Sequence, residues 1–212
     1  MKKIVIVGDR AHFKIPNSSK NQLTFNIPPI STVVGILQNI FGTTINNFML
    51  GYKIEYKSKE REVLTIYKEV NSNDGVRKLT DSDRFTKDII YVENLIDVRL
   101  VIYTDIENKI EFKEPLVLGK AGYLGKLIIE HNYKLVDKQG TAYNQYTPLD
   151  LGSGRIRRIN TLTQYNPQKG YYDYWTMLVR ESKELTYDKF FDENEGENIV
   201  MWQWKDGEAS VI

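Results

Sequence analysis

FNIPPISTVVGILQNIFG, residues 25–42, has two prolines near its head, a glycine at its tail and an apolar helix pattern between them. Pro28 and Pro29 lock φ and lead the chain into a helix, with Ser31 or Thr32 as the N-cap whose hydroxyl takes an orphan backbone N–H. Val33, Ile36, Leu37, Ile40 and Phe41 fall at i, i+3, i+4, i+7 and i+8, a single core-facing stripe. Gly42 stands where a C′ residue ends a helix. Gly35 lies mid-helix, where glycine costs about 1 kcal/mol relative to alanine. That cost predicts another backbone, or a ligand, lying close against it.

Upstream, residues 2–14 (KKIVIVGDRAHFK) read as a long strand. Ile4, Ile6, Gly8, Arg10, His12 and Lys14 alternate onto one face, and Val5, Val7, Ala11 and Phe13 onto the other. The first face begins apolar and turns basic beyond Gly8. The initial apolar run is too short for a signal-peptide core or a membrane span, and reads as a buried first strand. A basic strand end thus precedes a helix start whose dipole and free amides favour anions. The plainer alternative is that the helix merely closes the core.

Downstream, strand-like stretches lie near 50–57 and 62–70, followed by the turn cluster Asn71-Ser72-Asn73-Asp74-Gly75. Residues 88–104 are rich in Ile, Val and Tyr, and further strand candidates fall at 127–136, 155–164, 174–180 and 198–204. One convincing helix among many strands is an α+β pattern. Strand, loop, helix, strand, strand is how a ferredoxin-like or RNA-recognition-type module begins, a topology that hosts many functions. No repeat or low-complexity linker interrupts the chain, so any second part packs closely on the first.

The 212 residues suffice for one large domain or two small ones. With no cysteine and only two histidines, His12 and His131, disulfides and thiolate metal sites are excluded and a histidine-rich zinc site is disfavoured. An intracellular, cytoplasmic home fits. Net charge is only +1, but residues 181–212 carry nine acidic and three basic side chains, leaving +7 on residues 1–180. A basic body with an acidic tail suits a polyanion on one face.

No Walker A loop, G-x-S-x-G elbow, H-E-x-x-H or EF-hand loop is present. Gly152-Ser153-Gly154-Arg155 lacks the third glycine of a dinucleotide fingerprint. It reads as a turn feeding a strand, or as an anion nest beside Arg155, Arg157 and Arg158. His12 is open to an acid–base role or is a surface histidine at a strand end; His131, beside Glu130, suits a structural role. Gly170-Tyr171-Tyr172-Asp173-Tyr174-Trp175 could stack bases or pack a core.

Ala11-His12-Phe13-Lys14, a polar loop, then Pro28-Pro29-Ile30-Ser31-Thr32-Val33-Val34-Gly35-Ile36-Leu37 and Phe41-Gly42 resemble the start of the fifth core family of CRISPR-associated proteins. Arg84-Phe85-Thr86-Lys87 through Asp97-Val98-Arg99-Leu100-Val101-Ile102-Tyr103 is similar to that family's return strand from its thumb hairpin. Pro115-Leu116-Val117-Leu118-Gly119-Lys120 is similar to its Leu-Gly-basic turn, although Ala121-Gly122-Tyr123 follow where an acid is usual. The likeness covers roughly residues 3–42, 84–103 and 112–126.

The resemblance implies a RAMP-type module over 1–115 with a β-hairpin thumb at about 66–92, and a β-rich part over 116–212 packed on it. It implies a non-catalytic RNA-binding subunit of a type I surveillance complex (Cascade) that caps the 5′ handle of the CRISPR RNA. Such a subunit touches the backbone and large subunits, meets target DNA only indirectly, and needs no cofactor or metal and no membrane. Arg10, His12 and Lys14, with the amides at Ser31 and Thr32, would grip phosphates. Lys120 and the Arg155, Arg157, Arg158 loop would add contacts, and Arg77, Lys78 and Arg84 would back the thumb tip.

One branch of the family cuts repeat RNA with a Tyr-Lys-His set whose lysine and histidine are adjacent, and no Lys-His pair exists here. A metal-independent endoribonuclease using His12 is therefore the alternative, and a protein scaffold without RNA contact the third reading.

Overall fold

The computed structural model describes residues 1–16, 18, 20–69, 85–130, 133–169 and 171–212. β1 (Lys2–Ala11) is followed by the short β2 (Asn21–Gln22), the helix α1 (Ile30–Ile40), β3 (Asn47–Glu55), β4 (Ser58–Glu69) and the 20-residue β5 (Phe85–Thr104). Then come β6 (Lys126–Glu130), β7 (Gly140–Thr147), β8 (Gly154–Asn166), β9 (Tyr171–Tyr187), β10 (Phe191–Asp192), β11 (Glu197–Asn198), β12 (Met201–Lys205) and β13 (Glu208–Val211).

An eight-stranded sheet runs β13-β12-β3-β5-β1-β6, with β2 and β4 also paired to β5; β7-β9-β8 form a second sheet. Among the described residues α1 is the sole α-helix, so the chain is mostly antiparallel sheet rather than the expected α+β ferredoxin-like balance. The reason lies in residues 105–125, where Pro115, Gly119, Gly122 and Gly125 break any helical period. That stretch runs irregularly beside α1, with Glu111 N–H on Ile40 O and Lys113 N–H on Asn39 O.

The helix obeys its apolar stripe: Val33, Ile36, Leu37, Ile40 and Phe41 are all buried, together with Ile30 and Val34. Its start differs from expectation. The cap position is Pro29 (φ −56°, ψ 150°), without a side-chain cap bond, and the Thr32 and Val33 N–H groups donate to Pro29 O instead. A proline whose φ is already set supplies the helix entry that Ser31 or Thr32 was expected to provide. Gly42, at φ +67°, does end the helix, and a Cβ there would lie 2.4 Å from Glu111 O.

α1 packs on the large sheet through Ile4, Ile6, Leu50, Tyr52, Leu100 and Ile102, and Ala142, Tyr146, Ile159 and Val179 of the second sheet join the same core. Trp204 on β12, tilted against Phe48 at 5.2 Å, brings the end of the chain into this core.

The inward parity of β1 does not persist. Ile4 and Ile6 face the main core, but so do Ala11 and Phe13. The change falls at Gly8 and Asp9, opposite Asp97, whose φ is +51°. The uniform alternation expected for residues 2–14 therefore breaks: Arg10, His12 and Lys14 no longer share the core-facing side of Ile4 and Ile6, and His12 is buried all the same.

The other face of the sheet carries Lys3, Val5, Lys53, Arg99, Val101 and Tyr103, and the β10–β11 hairpin closes over part of it. Lys3 Nζ meets Asp192 and Glu195 at 2.9 Å, Lys53 Nζ meets Glu195 at 3.0 Å and also Glu197, and Arg99 meets Glu195 at 2.6 Å. Tyr103 and Tyr133 donate their hydroxyls to Asp192. Three carboxylates of the acidic tail thus neutralise three cations of the basic body. Glu55, Glu195 and Glu197 converge as a metal site would, but the Lys53 ammonium binds all three.

Candidate nucleic-acid interface

The expected strand-end clamp divides. Arg10, about half exposed, pairs with Glu62 at 3.3 Å, a surface contact worth at most about 1 kcal/mol. His12 is 3 % exposed, and its Nδ1 donates to Glu93 O at 2.6 Å. The carbonyl can only accept, which leaves Nε2 as a buried bare lone pair. Burial pushes the His12 pKa down, the Glu93 carbonyl pulls it back, and Lys120 and Lys14 push it down further. The ring is a neutral, inward structural group rather than a surface cation.

Lys14 is exposed, and Lys120 lies 5.4 Å from the ring centroid of Tyr123. Neither has a carboxylate partner among the described residues, and both lie within electrostatic reach of His12. The Lys120 turn is held tightly. Gly119 has φ +87°, and a Cβ there would fall 2.2 Å from His12 O, so no side chain fits. Ser31 and Thr32 are half-buried at the first turn of α1, and their hydroxyls have no partner among the described residues.

Thr32 and Gly119 line one groove. It holds about 260 Å³ between the outer side of α1 (Thr32, Gly35, Ile36, Asn39) and residues 114–119. Asn39 pins its far wall: Nδ2 donates to Glu114 O at 3.0 Å, and Glu114 N–H donates to Asn39 Oδ1 at 2.9 Å. The close contact expected at Gly35 is absent, for a Cβ there would have nothing within 4 Å.

The three arginines of β8 do not act together. Strand alternation sends Arg155 and Arg157 to one side and Arg158 to the other. Arg157 Nε is bound to Glu181 at 2.8 Å, and Glu181 also accepts from Asn26 at 2.6 Å. Against the upward push of burial, those two bonds hold the Glu181 carboxyl below the usual range. Arg157 therefore fastens β8 and β9 to the segment before Pro28, while Arg155 and Arg158 stay exposed.

β4 and β5 pair without a break from Ser58↔Ile96 to Glu69↔Phe85, so the expected hairpin is rooted eight residues earlier than 66. Arg77, Lys78, Arg84, the tip at 71–75 and His131 lie outside the described residues.

Sequence reasoning missed the buried Lys3 and Lys53 and the partly exposed Arg99 as one set; the signal available was a charged residue within otherwise apolar strands.

No protein-family model matches the chain, and no curated protein matches it. Solved structures do. A chain of a "CRISPR RNA-guided surveillance complex" is similar at TM-score 0.51 and 10 % identity, over 88 % of this chain and 91 % of that one. A chain of the type III-B Cmr-beta complex bound to cognate target RNA and AMPPnP is similar at TM-score 0.52 and 11 % identity, over 87 % and 86 %. At such identities the likeness is one of fold: this chain shares the fold of subunits from those two complexes.

Proposed function

We propose that the chain is a non-catalytic RNA-binding subunit of a type I CRISPR surveillance complex, holding the 5′ handle of the CRISPR RNA and contacting the backbone and large subunits. The observation that carries this reading is that Lys14 and Lys120, both within electrostatic reach of His12, have no carboxylate partner among the described residues, on a fold shared with subunits of the two complexes named above. The strand order supports a RAMP module. β6, β1, β5 and β3 stand side by side, antiparallel, with α1 on the connection from β1 to β3. That is the order of a ferredoxin-like βαββαβ unit with its second helix replaced by residues 105–125.

The alternative is a metal-independent endoribonuclease. It draws support from the neighbourhood of His12, Lys120 and Tyr123, whose hydroxyl donates to Asn94 at 3.1 Å. Against it, a general base must reach the proton that it takes, and the His12 ring is sealed in with its Nδ1 committed to Glu93 O.

Expression with neighbouring genes and a repeat array tests both. The chain is expected to co-purify with a processed guide. Alone, in chelator, it should leave repeat RNA uncut. Specific products that disappear in His12→Ala would reverse the choice.

A further inference from the structure

We propose that the groove on the outer side of α1 seats one nucleotide of a bound RNA strand, with its phosphate at the lysine end and its base over Gly35. The base edge turned toward Glu114 would carry an amino group. This deepens the RNA-binding reading and rests on it.

The first observation is Gly35 itself. A mid-helix glycine weakens a helix, and nothing in the described protein approaches within 4 Å of where a Cβ would stand. No internal packing asks for glycine there. What glycine does provide is a strip of bare main chain as a groove floor, beside the apolar Ile36 and Leu116.

The second observation is that the groove is preformed. Asn39 holds Glu114 at one end through two main-chain bonds. At the other, His12 N–H donates to Leu118 O at 3.1 Å, and Gly119 packs on His12 O. From Thr32 to Asn39 the helix rises about 10 Å. With a volume of about 260 Å³, the groove suits a single nucleotide and is too short for a partner helix.

The third is its polarity. Lys120 follows Gly119, which lines the groove together with Thr32, and has no carboxylate partner among the described residues. Glu114 stands exposed at the Asn39 end, with no cationic partner among the described residues. An anionic phosphate fits the first end and an amino-bearing edge fits the second, which favours adenine, cytosine or guanine over uracil.

The test uses the full chain with 5′-fluorescein eight-nucleotide oligo(A), oligo(C) and oligo(U) RNA, followed by anisotropy, with unlabelled AMP as competitor. Wild type is expected to prefer oligo(A) and oligo(C) over oligo(U). Gly35→Ala should raise Tm by about 2–4 °C yet weaken oligo(A) binding by roughly fivefold or more, and Gly35→Gln should weaken it further. Glu114→Gln should bring oligo(A) and oligo(C) down to the oligo(U) level.

Several results would overturn the proposal. If both Gly35 variants bind every oligomer as wild type does, the groove is not the seat, while the RNA-binding reading stands. If they keep RNA affinity and lose a partner subunit on co-purification, the groove docks protein. Competition by AMP at the nucleotide concentration of the strand would make it a free-nucleotide site. Wild type that binds no oligomer would remove the RNA-binding reading and this one with it.

Discussion

Lys53 shows what single residues do here. Its side chain is 3 % exposed, yet it keeps its charge, because bonds from Glu197, Glu55 and Glu195 outweigh the downward push of burial and raise its pKa. Glu195 is the hub, bound by Lys3, Lys53 and Arg99 together. Removing one member of such a set strands the others in low dielectric, so Glu195→Gln should cost about 3–5 kcal/mol in chemical denaturation. The pH dependence has a definite sign. Arg99 above all, then Lys3 and Lys53, hold Glu195 well below the usual carboxylate range. Tyr103, Tyr133 and Lys3 hold Asp192 below it against burial. Depressed carboxyls contribute stability that is present above their unfolded range, near pH 4, and is lost as pH falls through the folded values. Burial pushes Glu197 the other way. Tm should therefore fall in acid, and Glu195→Gln should flatten that fall; an unchanged slope would show the hub does not govern acid stability.

At the scale of elements, β5 organises the molecule. Its 20 residues pair with β1, β3, β2 and β4, so one strand is at once the centre of the sheet and half of the projecting hairpin. The hairpin shows Val63 (58 % exposed), Ile89 (54 %) and Tyr91 (43 %), with Val63 opposite Tyr91. Exposed apolar side chains grouped in this way mark a contact surface. Deleting residues 71–78 should leave the monomer folded, since the Ser58–Glu69 ladder onto β5 is built from residues outside the deletion. It should also impair assembly with neighbouring subunits, measured by co-purification; intact assembly would refute the thumb assignment. The elements also show where pattern reading succeeds. The stripe of α1 and the turn at Gly42 were legible from spacing, because 3.6-residue periodicity and a positive φ are local demands. The start at Pro29 was misread because a set φ does the work of a hydroxyl cap. The burial of His12 depends on Glu93 and on the turn at Leu118 and Gly119, which lie far along the chain.

Over the whole molecule the charge ledger is redistributed. Part of the +7 of residues 1–180 is cancelled among the described residues: Lys3, Lys53 and Arg99 are neutralised from the acidic tail, Arg10 sits on Glu62 and Arg157 on Glu181. Lys14 and Lys120, both within electrostatic reach of His12, keep no carboxylate partner among the described residues. Single-stranded binding loses salt dependence by about 0.7 for each phosphate contact removed. Lys14→Ala and Lys120→Ala should each lower the slope by about that amount, and Arg10→Ala by less; equal slopes for all three would displace the site from these two lysines. The sequence by itself determined most of the long strands (though not β7 at Gly140–Thr147), the helix and its buried stripe, the absence of cysteine and the opposed charges of body and tail, because these follow from composition and from periods of 2.0 and 3.6. Only the tertiary structure decided which charges cancel, that β12 lies beside β3, and that Gly35 floors an open groove. Pairing across more than a hundred residues is a matter of packing geometry, and no local period encodes it.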